Sequence, residues 1–170
     1  GICISFITGE SIFLSKQQQA DLDQIDGSCS FDGLQSEDQR QLHSLRDDYG
    51  DSPFDIRVYF VNKIYDPELK YLNGCGGYDP GRPALHTAFS ATEWTFAHEL
   101  GHVLLGANFR PVHLIGDTKN IMTEKTTNLK CDLPILTPLQ LAAIKSSKYC
   151  RRCDEFGKPF YWKTTRKQIR

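Results

Sequence analysis

Eleven residues, Thr95-Phe96-Ala97-His98-Glu99-Leu100-Gly101-His102-Val103-Leu104-Leu105, constrain this chain more than any others. Phe96, Ala97, Leu100, Val103 and Leu104 surround a polar triplet with apolar side chains, so the segment reads as a buried helix. Ser90 or Thr92 stands where an N-cap belongs, and Gly106 fits the position just past the last turn. A His-Glu-His set inside an apolar helix needs a partner, because a buried polar group without one is costly. The fold must therefore bring something to this helix besides hydrocarbon.

Around it the chain reads as strands, helices and long loops. Ile2–Ile7 is an apolar strand. Ser15–Asp26 is a short helix ended by Gly27. Ser36-x-x-Gln39 forms a capping box for a second helix, with Leu42, Leu45 and Tyr49 on one face. Asp55–Val61, β-branched and aromatic, reads as a central strand. Asn73–Pro83, rich in glycine and proline, is expected to be a long connection, and Ala84–Phe89 another strand. Thr137-Pro138 pairs an N-cap with a proline at the first helical position, opening a last helix with Leu141 and Ile144 inward. The sum is an α+β domain.

The length, 170 residues, suits one domain over 1–150. From Lys145 to Arg170 there are nine basic and two acidic residues, while the rest of the chain is net acidic. We read 151–170 as a basic C-terminal tail, the competing reading being a patch for an acidic surface or nucleic acid. No nucleic acid is expected as partner, and no stretch is apolar for long enough to span a membrane. A monomer is expected. Six cysteines (Cys3, Cys29, Cys75, Cys131, Cys150, Cys153) allow three disulfides and favour a secreted or extracellular location, either as an enzyme or as the effector domain of a larger secreted protein. Cys150-x-x-Cys153 with Cys131 is the competing structural-zinc reading.

His98-Glu99-x-x-His102 is an H-E-x-x-H motif. Residues four apart lie one turn apart on the same helix face, so both imidazoles can reach one ion. Zinc takes imidazole nitrogen at about 2.0–2.1 Å in four-coordinate geometry. Glu99 comes directly after the first ligand and so stands beside the ion, where a carboxylate can move protons. A catalytic site needs a third protein ligand, and three residues after His102 qualify: His113, Asp117 and Glu124. Elsewhere, His86 could line the cleft but reads better as a satisfied histidine. His43 reads as a helix-surface residue, and Cys75 as a disulfide partner rather than a fourth ligand. Asp79 and Asp117 lack the carboxylate density of a calcium loop.

The motif and the residues C-terminal to it resemble the metzincin zinc peptidases, whose signature is H-E-x-x-H-x-x-G-x-x-H and then a methionine in a tight turn. Gly106 lies one place later than the family glycine, and Asn108 occupies the place of the third histidine. His113-Leu114-Ile115-Gly116-Asp117-Thr118-Lys119-Asn120-Ile121-Met122 resembles the segment from third ligand to Met-turn, displaced by about five residues. Met122 is the chain's sole methionine. Glu124 stands where some members carry a tyrosine, and Leu114 where the archaemetzincin subgroup has a cysteine. The likeness covers roughly residues 55–145. It implies a small zincin-like domain: a twisted mixed sheet, an active-site helix, a Met-turn and a C-terminal helix. It implies Zn2+ on His98, His102 and His113, Glu99 as the catalytic base, and hydrolysis of a protein or peptide laid along an edge strand near Ala84–Phe89. Two other functions stay open: a zinc-stabilised binding or effector module without catalysis, and a zinc hydrolase of a non-peptide amide.

Overall fold

A computed structural model describes residues 13–27, 36–44, 55–68, 70–79 and 82–150. The expected strand at Ile2–Ile7 and the basic tail at 151–170 lie outside the described residues. So do Leu45 and Tyr49 and the side chain of His43. Among the described residues no helix is long and apolar enough to cross a membrane.

The segment expected as one helix, Ser15–Asp26, divides in two. Ser15 and Gln18 form a capping box that opens α1 (Lys16–Asp21), which stops at Leu22. The chain then extends as β1 (Gln24–Asp26). Tertiary burial decides this: Ile25 is almost fully enclosed and β1 pairs in parallel with a later strand, which outweighs local helical preference. The second capping box forms as expected. Ser36 N–H donates to Gln39 Oε1, and Gln39 N–H donates to Ser36 Oγ. It opens α2 (Glu37–Ser44), whose Leu42 is buried.

β2 (Arg57–Val61), β3 (Lys63–Asp66), β4 (Lys70–Leu72), β5 (Gly74–Asp79) and β6 (Arg82–Ala88) come next. They make two small mixed sheets, ordered β1-β3-β4 and β2-β6-β5. In the second, β2 runs parallel to β6, and β5 antiparallel to it. Two expectations need correcting here. β2 has a single neighbour among the described residues, so the central strand is β6. Asn73–Pro83, expected as a connection, is mostly strand: β5 pairs with β6 from Gly74↔Thr87 to Asp79↔Arg82. The ladder to β6 supplies the backbone hydrogen bonds that hold a glycine-rich strand against its low propensity.

The two faces of this sheet differ. Strand alternation puts Tyr59, Ala84 and His86 on one face and Leu85 and Thr87 on the other. Tyr59 and Ala84 pack with Leu22, Ile25 and Leu42 in the main apolar cluster, flanked by Leu14 and Val61. Helix α3 (Thr95–Leu105) covers the other face. The glycines of β5 decide how closely it lies. A Cβ at Gly74 would stand 2.6 Å from Glu99 Cγ, and one at Gly76 would stand 2.5 Å from the Glu99 carbonyl oxygen. The final helix, α4 (Pro138–Ser146), begins at Thr137 with a third capping box, Thr137 and Gln140. Its Ile144 is buried as expected, while Leu141 is half-buried and Gln140 takes an inward place.

The three-disulfide expectation fails at Cys131 and Cys150, which are free thiols. Cys75 is disulfide-bonded.

Replacement of Gly76 by Ala pushes a methyl group into helix backbone rather than into a flexible side chain. Gly76→Ala is expected to destabilise the protein by at least about 2 kcal/mol, as overpacking against fixed atoms does. Denaturant unfolding of the two proteins measures it, and an unchanged midpoint would mean that α3 does not lie on β5.

Candidate metal centre

α3 starts at Thr95, later than either expected cap. Trp94 precedes it and gives no side-chain capping bond. The Thr95 hydroxyl instead accepts from the Thr92 N–H at 2.9 Å, and both hydroxyls meet that of Thr126. Gly106 ends the helix as expected, at φ +77° and ψ 166°, backbone that glycine alone adopts readily. The chain leaves through it toward His113. Asn108, at the position of the family's third histidine, is exposed on this loop.

Helix geometry separates the roles. Successive residues turn by about 100°, so Thr95, Glu99 and His102 form one stripe and His98 and Gly101 another. The first stripe faces β5: Gly74 approaches Thr95 and Glu99, and Gly76 approaches Glu99 and His102. The second faces the turn at Asn120–Thr123. There Met122, fully buried, sets its Sδ where a Cβ at Gly101 would stand only 2.3 Å away.

His98, His102 and His113 converge, with their ligating nitrogens within 4.8 Å of one another. His102 Nε2 lies 3.0 Å from both His98 Nε2 and His113 Nε2. His98 Nδ1 lies 2.7 Å from the Ile121 carbonyl oxygen and donates to it. That bond fixes the tautomer and leaves the His98 Nε2 lone pair aimed at the other two rings. Protons alone cannot satisfy such a cluster. A ring nitrogen either bears a hydrogen or offers a lone pair, so His102 Nε2 cannot donate to one neighbour while accepting from the other. A cation among the three can serve all of them. Nitrogens 2.0–2.1 Å from a tetrahedral ion stand about 3.3 Å apart, close to the spacing here. The residues present therefore fit a metal ion.

Electrostatics favours neutral imidazoles. Burial pushes His98 down to about 4, the Ile121 carbonyl bond opposing. Burial also holds His102 well below its usual range, helped by the two neighbouring histidines, although the residue as a whole is only half-buried. His113 is lowered by burial, against the opposing negative charge of Glu124. Rings that resist protonation keep their lone pairs for a metal. The Glu99 carboxyl, 7% exposed, is pushed up from 4.5 to about 8 by burial, while the Gly76 N–H, which donates to it, works the other way.

The remaining candidates fall elsewhere. Asp117 Oδ1 accepts the backbone N–H groups of Lys119 and Asn120, so it shapes the turn and stands outside the histidine cluster. Glu124 is exposed and also outside it. His86 is buried on the sheet face away from α3, stacked on the Tyr59 ring with centroids 5.3 Å apart, and does not line the site. Cys75, on that same face, accepts from Gln39 Nε2 and is no ligand. The side chain of Asp79 lies outside the described residues. No family model, curated protein or solved structure matches the chain.

Sequence reasoning missed the Ile121 carbonyl, the Gly76 N–H and the close-approach glycines. Backbone groups leave no residue-type signal. The alternating Gly74 and Gly76 were the one available clue.

In metal-free protein, the raised Glu99 carboxyl contributes stability that is full below pH 4.5 and lost as pH rises through about 8. The lowered His98 contributes the opposite way, with stability lost as pH falls from 6.5 through about 4. Both Glu99→Gln and wild type share the histidine effect, so their difference isolates the carboxyl. The variant is expected to gain on wild type from pH 4.5 to 8, by up to on the order of 4–5 kcal/mol. Unfolding of both proteins in chelator across that range checks it, and a constant difference would contradict it.

Proposed function

We propose that this chain is a zinc-dependent endopeptidase of metzincin-like type. One observation carries the reading: three imidazole nitrogens face one point, and an acid that belongs to none of them stands next on the same helix. A site serving stability alone needs the histidines but has no use for Glu99. His98, His102 and His113 would hold the zinc, which would supply a Lewis acid to polarise a scissile carbonyl and acidify water.

The chain's own groups do the rest. Glu99 accepts a proton from the attacking water on its carboxylate and passes it to the departing amine. In metal-free protein burial keeps this carboxyl protonated up to about pH 8; a bound divalent cation would favour the carboxylate that takes the proton. The Gly76 N–H holds the carboxylate against β5 and orients it. Met122 forms the floor, filling the hollow at Gly101, and is not among the residues that would hold the metal. β6 has neighbours on both sides, so the expected substrate strand near Ala84–Phe89 is not at an edge. Among the described strands β5 lies at the edge of its sheet, and we propose that an extended peptide lies beside it, joined by backbone hydrogen bonds.

Glu99→Gln is expected to lower peptide hydrolysis by about 10²–10⁴-fold while zinc content stays at one per chain. Chelation abolishes hydrolysis in wild type, and His113→Ala loses zinc. Peptide assays with parallel metal analysis measure all three. Hydrolysis surviving in Glu99→Gln overturns the mechanism, and a biological effect surviving it would favour a binding module.

A further inference from the structure

Two successive carbonyls hold His98 and the residue next to His113. The Ile121 carbonyl accepts from His98 Nδ1–H at 2.7 Å, and the Met122 carbonyl accepts from the N–H of Leu114, next to His113, at 2.9 Å. The aim of His98 thus depends on what fixes the peptide plane between Ile121 and Met122. That plane is gripped from its other side. Its N–H, belonging to Met122, donates to Asn120 Oδ1 at 2.9 Å. A trans peptide is planar, with its N–H and C=O opposed, so a hold on one sets the direction of the other.

Asn120 is held in turn. It is 1% exposed and its Nδ2 donates to Gln140 Oε1 at 2.9 Å. Gln140, 2% exposed, has this oxygen fixed by a second donor, the Thr137 N–H, at 2.8 Å. Both amides have a forced orientation, because backbone N–H groups can only donate. An unbroken chain of hydrogen bonds, buried from Gln140 onward, therefore runs from the N-terminus of α4 through Gln140, Asn120 and the 121–122 peptide to His98.

We propose that Asn120 and Gln140 are positioning residues for the metal: the amide relay from α4 aims His98 and thereby sets how firmly the ion is held. The relay rests on the metal reading above. Groups that orient a ligand from behind typically alter metal affinity by 10–100-fold when removed. A capping residue has no such effect, so the two roles separate in an experiment.

The test uses the full 170-residue chain and zinc itself. Gln140→Met keeps length and flexibility but removes the acceptor. Gln140→Glu keeps an acceptor oxygen and remains a good capping-box residue. Ile144→Ala destabilises α4 from its buried face without touching the relay. Zinc release into a chelating dye is expected to be about tenfold faster or more in Gln140→Met, and within about threefold of wild type in Gln140→Glu. In Ile144→Ala the thermal midpoint falls but zinc release stays near wild type. The visible spectrum of the cobalt-substituted protein shifts in Gln140→Met alone. Should that variant not fold, Asn120→Asp keeps Oδ1 for the Met122 N–H but turns the donor facing Gln140 into an acceptor, and the same acceleration is expected. Wild-type release rates in Gln140→Met or Asn120→Asp overturn the relay, as does equal acceleration by Ile144→Ala. Wild-type protein that takes up no zinc overturns the metal reading itself, and the relay with it.

Discussion

The closeness of α3 to β5 is the constraint on which the other features depend. A helix normally stands off a sheet because the side chains of both fill the gap. Here Gly74 and Gly76 leave nothing in the gap on their side, and the carbonyl and side chain of Glu99 come directly against strand backbone. That proximity lets a main-chain N–H reach a helix carboxyl. It also fixes the rotation of the helix, since only the stripe of Thr95, Glu99 and His102 fits against bare backbone. With the rotation fixed, His98, about 100° round from Glu99, must point toward the Asn120–Thr123 turn. The separation of Glu99 from His98 follows from packing before any metal is considered.

The turn completes a clamp. Gly101 lies on the helix face opposite the strand contact, and Met122 occupies the space its missing side chain leaves. Glycine within a helix costs about 1 kcal/mol relative to alanine, so its place here reflects a gain from close contact. Strand on one side and methionine on the other leave α3 little freedom to slide or roll. The imidazoles inherit that rigidity, which a site of defined geometry requires.

Much of this was legible in the sequence, for identifiable reasons. Ser36 with Gln39 and Thr137 with Pro138 announced helix starts because capping boxes and N-cap–proline pairs are local devices with a fixed spacing. His98, Glu99 and His102 were legible because one helical turn sets their separation. His113 came from the resemblance and is the candidate that joins the cluster, whereas Asp117 bonds to backbone amides next to it. Other features depend on distant partners and could not be read locally. Gly74–Asp79 has the composition of a loop, and β6 and α3 make it a strand. Ile25 looked like part of a helix until its burial beside β3 decided otherwise. Gln140 carried no signal in the sequence, and its bond to Asn120 comes from 20 residues away.

The acid and the histidines are coupled through charge. Burial suppresses ionisation at every one of these groups: it holds the imidazoles neutral and the Glu99 carboxyl protonated up to about pH 8. Without a cation the site thus has no internal positive charge to favour a carboxylate, and the Gly76 N–H alone works against burial. A divalent ion beside the imidazoles would reverse the balance, since an adjacent positive charge in a poorly hydrated site favours the anion strongly. Glu99 would then ionise as a consequence of occupancy. By linkage the reverse would hold as well: ionised Glu99 would strengthen the hold on the ion, and protonation would weaken it. The same carboxyl that destabilises the metal-free fold at high pH would steady the occupied one. That is the physical sense in which a residue outside the histidine cluster still belongs to the candidate metal centre.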